Sequence, residues 1–142
     1  MTASDSPIPR KVGDALPVLT RAVPQERVDA YAEAANDRNP IHLDEAYAAG
    51  TQFKRRIAHG MLTLAMIAEV MAVAFPDAWA RGGRLKARFK SPVFCGDTVM
   101  VYGEVASVAE SDGRITIECK VGLKTSGGEE AITGQAWVSF AS

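Results

Sequence analysis

Cysteine is scarce. The 142-residue chain has two, Cys95 and Cys119, and they form no C-x-x-C pair. They read as small core residues in a reducing compartment. Histidine is equally sparse, with only His42 and His59. No run reaches eighteen apolar residues, and the opening MTASDSPIPRK has no apolar signal-peptide core, so neither a membrane span nor a secretory leader is expected. An excess of one charge is missing too. Sixteen Lys and Arg face seventeen Asp and Glu, a net charge of −1, which argues against nucleic-acid binding by bulk charge. There is no G-x-G-x-x-G, no P-loop and no G-x-S-x-G. What remains is an ordinary globular composition, 47% hydrophobic and 23% charged, at the length of one cytoplasmic domain.

Along the chain, residues 1–13 are polar with two prolines and are expected to form a flexible arm. Residues 16–23 suit a first strand. Pro24 suits the first turn of a helix whose Val28, Tyr31, Ala32 and Ala35 make one apolar stripe. Pro40 pushes Asn39 out of the helical region, so NDRNPIHL is a loop. Asp44 is a natural N-cap for a short helix that Gly50 ends. His59 to Pro76 is apolar on nearly every side and predicts a central helix surrounded by protein. From Gly82 the period falls to two, with turns at CGD (95–97), SDG (111–113) and TSGG (125–128). Helices first and an antiparallel meander afterwards predict an α+β domain over 14–142, its sheet wrapped around the central helix.

Chemistry has few places to sit. Asp37 and His42 lie five residues apart in a loop with Asn39 and Pro40 between them. Such a pair can hold a water, one group taking its proton while the other gives one up. The same string also suits a turn aspartate beside a half-buried histidine. His59-Gly60 opens the central helix. Gly60 lacks a Cβ, so its N–H can approach a ligand closely at the positive end of a helix, the geometry of an oxyanion site. Tight packing alone would explain the same glycine, and His59 reads as a polar plug at the helix entrance. A metal set drawn from His42, Asp44 and His59 matches no standard ligand spacing. Eight of the sixteen basic residues fall between Lys54 and Lys90, opposed there only by Glu69 and Asp77. Arg84, Lys86, Arg88 and Lys90 would share one strand face, as a solvated surface or as a landing site for phosphate or an acidic carrier.

Taken together, YAEAANDRNPIHLDEAYAAGTQFKRRIAHGMLTLAMIAEV and the later FKSPVFCGDTV resemble the MaoC-like dehydratases, which include the (R)-specific enoyl-CoA hydratases. The resemblance spans about residues 16–140 and centres on D-x-N-P-x-H followed by A-H-G-M. It implies a hot-dog fold, commonly paired with a second copy as a homodimer, or with a partner in a heterodimer. It implies Asp37 and His42 as the catalytic dyad, Gly60 as the thioester oxyanion donor, and Asn39, Pro40 and His59 as loop-orienting residues. Met61, Leu62 and Ala65 would wall the acyl pocket, with Arg84 and Arg88 meeting the phosphates of coenzyme A or a phosphopantetheine carrier. The implied reaction hydrates a trans-2-enoyl thioester, acyl-CoA or carrier-bound, to the (R)-3-hydroxyacyl thioester, or runs in reverse. No metal or separate cofactor is expected, and no nucleic-acid or membrane partner. Many relatives carry proline where this chain has Arg56. A hot-dog thioesterase and a non-catalytic partner subunit are the alternative readings.

Overall fold

The change of hydrophobic period near Gly83 divides the architecture. The computed structural model describes residues 8–142. Strand β1 (Leu19–Ala22) leads into α1 (Gln25–Ala35), with Pro24 at the N-cap rather than inside the first turn. Two short helices follow, α2 (Pro40–Leu43) and α3 (Glu45–Ala49), then α4 (Gly60–Ala74) and α5 (Pro76–Gly82). The last four strands are β2 (Arg84–Phe89), β3 (Thr98–Ser111), β4 (Arg114–Thr125) and β5 (Glu130–Ala141). Helix α5 was not expected. Phe75 leaves the helical region at φ −137°, and Pro76, preset for a first turn, restarts the chain.

The strands form one antiparallel sheet in the order β1-β3-β4-β5-β2. This corrects the simple meander. β2 does not pair with its successor β3; it lies at the far edge against β5, because β3 gives its free edge to β1. Connection 90–97 makes the crossing, ending in a turn at Gly96 (φ 98°) where the Asp97 carboxylate accepts the Phe94 N–H. The β3–β4 hairpin closes on Asp112 and Gly113, both at positive φ, the two-residue turn that matches strand twist.

Alternation fills one face of the sheet with Val99, Val101, Ile117, Cys119, Val121, Leu123, Ile132, Ala136 and Val138, and α4 lies on it through Met66, Ile67, Val70 and Met71. The expectation that protein surrounds α4 needs correction. One sheet covers one side of a helix, and Met61, Ala65, Glu69 and Ala72 remain exposed along the other. Glu69 is held there by a bidentate pair with Arg21 at 2.8 Å. Of the arm expected over residues 1–13, residues 1–7 lie outside the described residues. From Arg10 the chain is tied down: the Asp14 carboxylate accepts the Arg10 and Lys11 N–H groups, and the Gly13 N–H donates to the Val105 carbonyl. No helix among the described residues is long and apolar enough to cross a membrane.

Candidate active site

The segment from Asn36 to Leu43 is shaped by its own side chains. Asn36 adopts a left-handed conformation (φ 54°) and caps α1, its N–H returning to the Ala32 and Glu33 carbonyls. Asn is among the few residues that tolerate this region. The Asp37 N–H is also anchored on the Ala32 carbonyl, at 3.0 Å. Asn39 then caps α2 by accepting the Ile41 N–H at 3.0 Å, and Pro40 takes the first helical position, where no N–H is needed. One turn later His42 points inward, 9% exposed. Asp44 caps α3 by accepting the Tyr47 N–H, so the chain leaves the site in a defined direction.

From the other side, segment 57–58 is pinned to the 93–94 connection: the Ala58 N–H donates to the Val93 carbonyl at 2.7 Å. This holds the Ile57 carbonyl 2.7 Å from His42 Nδ1. A carbonyl can only accept, so Nδ1 carries the hydrogen and Nε2 keeps its lone pair. Burial holds the His42 pKa below the ordinary imidazole value of 6.5, and the nearby His59 adds to the effect. The Ile57 bond and the Asp37 charge oppose it. The same logic assigns His59, whose Nε2 lies 2.9 Å from the Asp37 carbonyl and donates to it. His59 is 2% exposed, and its Nδ1 has no hydrogen-bond partner among the described residues. A buried polar atom left so costs about 1–3 kcal/mol.

Asp37, His42 and His59 thus converge, with a carboxylate oxygen and one nitrogen of each ring all within 4.8 Å of one another. The proximity suits proton transfer better than metal binding. The two imidazoles are stacked, centroids 3.8 Å apart and planes 26° from parallel. Lone pairs lie in the ring planes, so stacked rings do not direct them at one point about 2.0–2.1 Å from both nitrogens. Neither cysteine competes as a nucleophile. Burial pushes the Cys95 thiol up and the Cys119 thiol to about 11, keeping both protonated.

Gly60 starts α4 directly after His59 and lines a cavity of about 300 Å³ with Phe53, Ile57, Thr63, Phe89 and Lys90. A Cβ on residue 60 would stand 2.9 Å from the Phe89 ring, so any side chain there would have to push that exposed ring aside. Met61, Leu62 and Ala65, expected to wall an acyl pocket, do not line this cavity; helical phase puts Gly60 and Thr63 toward it and carries Met61 and Ala65 round to the exposed side. Arg84 and Arg88 do not line it either. Strand alternation that brings Phe89 to Gly60 sends both arginines to the opposite face, Arg84 over Trp137 and Arg88 beside Lys86 and Lys120 in a separate groove. Among the described residues lining the Gly60 cavity, the one charged side chain is Lys90. Sequence reading missed Ile57, Phe89 and Tyr31, whose ring lies 4.7 Å from that of His59. Only the two aromatics carried a signal, as apolar residues on a recognisable strand and helix.

Fold and site together define a MaoC-like hot-dog protein. Residues 7–127 match the family described as "MaoC like domain", and the chain belongs to that family. It is 35% identical over 122 residues to the (R)-specific enoyl-CoA hydratase of Aeromonas caviae, covering 86% of this chain and 90% of that one. It is 36% identical over 121 residues to a 3-hydroxybutyryl-CoA dehydratase of Methylorubrum extorquens, covering 85% of this chain and 75% of that one. Among solved structures it resembles the (R)-hydratase from A. caviae involved in PHA biosynthesis. That match has a TM-score of 0.77 and 32% identity over 93% of this chain and 97% of the other.

Proposed function

We propose that this protein is a lyase that adds water to trans-2-enoyl thioesters, giving (R)-3-hydroxyacyl thioesters, and catalyses the reverse dehydration. The observation that carries the reading is the convergence of Asp37 and His42 on His59, the residue before the glycine that opens α4, in a chain similar to hydratases and dehydratases of that class.

In this reading the thioester oxygen faces the Gly60 N–H, and the α4 terminus adds partial positive charge as the enolate forms. Asp37 orients a water over C3. His42 Nε2 takes one of its protons as the oxygen bonds to C3, while the π electrons move through C2 toward the thioester oxygen. The imidazolium then returns the proton to C2, so one water is consumed and no charge remains. Two features support His42 as the proton carrier. Its tautomer leaves Nε2 free, and burial makes its protonated form a ready acid. No metal or separate cofactor enters these steps.

Lys90, which lines the Gly60 cavity, is the cation assigned in this reading to the phosphates of coenzyme A or phosphopantetheine, in place of Arg84 and Arg88. The exposed apolar side of α4 and the free edge of β2 support a working homodimer, with a heterodimer as the variant form. Free thiols at Cys95 and Cys119 fit a cytoplasmic setting.

The test is loss of conjugated enoyl absorbance from crotonyl-CoA, then octenoyl-CoA, with product and thiol analysis. A 3-hydroxy product without free thiol is expected, with turnover lowered at least about 100-fold in Asp37→Asn and His42→Ala. Lys90→Glu should raise KM more than it lowers kcat. Free thiol released from a saturated acyl-CoA would establish the thioesterase instead. A folded chain inert toward both substrates would sink the reading.

A further inference from the structure

We infer that Tyr31, His59 and His42 form a ring column that positions the catalytic pair, with His59 as its central positioning residue. This rests on the hydration reading above for its kinetic consequences, though the column itself does not.

The three rings come from three elements: Tyr31 from α1, His59 from the N-cap of α4 and His42 from α2. His59 lies tilted by 56° against Tyr31 at 4.7 Å, and stacked on His42 at 3.8 Å. Its edge works at the same time, donating from Nε2 to the Asp37 carbonyl. Through the peptide bond it also sets where Gly60 begins the helix. One side chain therefore touches one dyad member with its face, the other with its edge, and the oxyanion donor through the backbone.

Asp37 needs such a tie. Its residue is exposed, and among the described residues its carboxylate accepts one long 3.4 Å bond, from the Asn39 N–H. Its backbone is fixed by two bonds, the N–H on Ala32 and the carbonyl on His59. The choice of residue points the same way. Phe or Leu would fill a position 2% exposed without bringing in polar atoms, whereas imidazole brings two and uses one on Asp37. Reaction rates are steep in such placements, since a displacement of about 1 Å can cost roughly 100-fold.

Two substitutions separate the two contacts. His59→Gln keeps an N–H donor and removes the ring; His59→Phe keeps the ring and removes the donor. Each should lower kcat on crotonyl-CoA by about tenfold or more with KM within about twofold, since neither contact reaches substrate. Tyr31→Leu, at a half-buried position, should give a smaller loss of the same kind. With two histidines in the chain, proton NMR of the imidazole Hε1 positions shows two signals. The one signal left in His59→Gln, from His42, should be displaced from its wild-type position by loss of the stacked ring. A displaced His42 signal with lowered kcat supports the column. An unmoved signal, or a raised KM at unchanged kcat, overturns it. If both His59 variants fail to fold, Tyr31→Leu decides by the same two readouts. If the wild type hydrates nothing, the hydration reading falls alone, and the His42 resonance still decides whether the column exists.

Discussion

At the scale of residues, His42 shows how little chemistry is intrinsic to a side chain. Imidazole in water titrates near 6.5, where a base would be half lost at mildly acidic pH. Burial lowers that value, with the nearby His59 adding to the effect, and the Ile57 carbonyl chooses the tautomer. The sign follows for rate and stability alike. A depressed pKa means that the unfolded chain binds the proton more readily, so the folded state loses stability as pH falls through the folded value and keeps it above 6.5. The expected kcat/KM profile falls on the acid side, with that limb centred below the ordinary imidazole value. A limb centred above 6.5 in the pH-rate profile would remove His42 as the proton carrier.

At the scale of elements, the start of α4 separates stability from function. Gly60 is the first residue of α4, outside the helix interior where glycine costs stability, so alanine there changes the helix little. The added Cβ would press on Phe89, which is 53% exposed and able to swing aside. Gly60→Ala should therefore melt within a few degrees of the wild type while, on the proposed reaction, kcat/KM falls about 100-fold, because the methyl group would stand in the way of the thioester. Calorimetry beside the crotonyl-CoA assay checks both halves. A large drop in Tm would mean that the glycine serves packing alone. The neighbouring elements were largely legible in the sequence: Asp44 and Gly50 bracket α3, and SDG makes the hairpin turn. Local chemistry acts over a few residues and needs no partner. β2 was not legible in its pairing, because alternation says which face a residue takes and nothing about which strand lies beside it.

At the scale of the whole molecule, α4 is the element that one chain leaves half covered. A 15-residue helix with one charged residue, Glu69, shows Met61, Ala65 and Ala72 to solvent. Small alanines on that side let a second copy approach closely, and a longer charged side chain would hold it off. Ala72→Glu should therefore spare the fold by circular dichroism yet shift gel filtration from dimer to monomer. A wild type already eluting at 15.2 kDa would end the dimer proposal. The outward turn of Arg84 and Arg88 is decided at this scale as well, because the sheet's two faces exist only once α4 has settled on one of them.

The order of residues sufficed for the main helices and strands and for the caps at Asp44 and Gly50, since these depend on neighbours within one or two turns. It read 36–43 as a loop, however, where Pro40–Leu43 forms α2, and it missed α5. It also held enough of the family's pattern to imply Gly60. The contacts across space decided that His42 donates its Nδ1 hydrogen to Ile57, that the His59 ring meets those of Tyr31 and His42, and that Lys90 rather than Arg88 faces the cavity. Each of these contacts brings together residues from separate segments. Their energies come from geometry across space, which the order of residues along a chain does not contain.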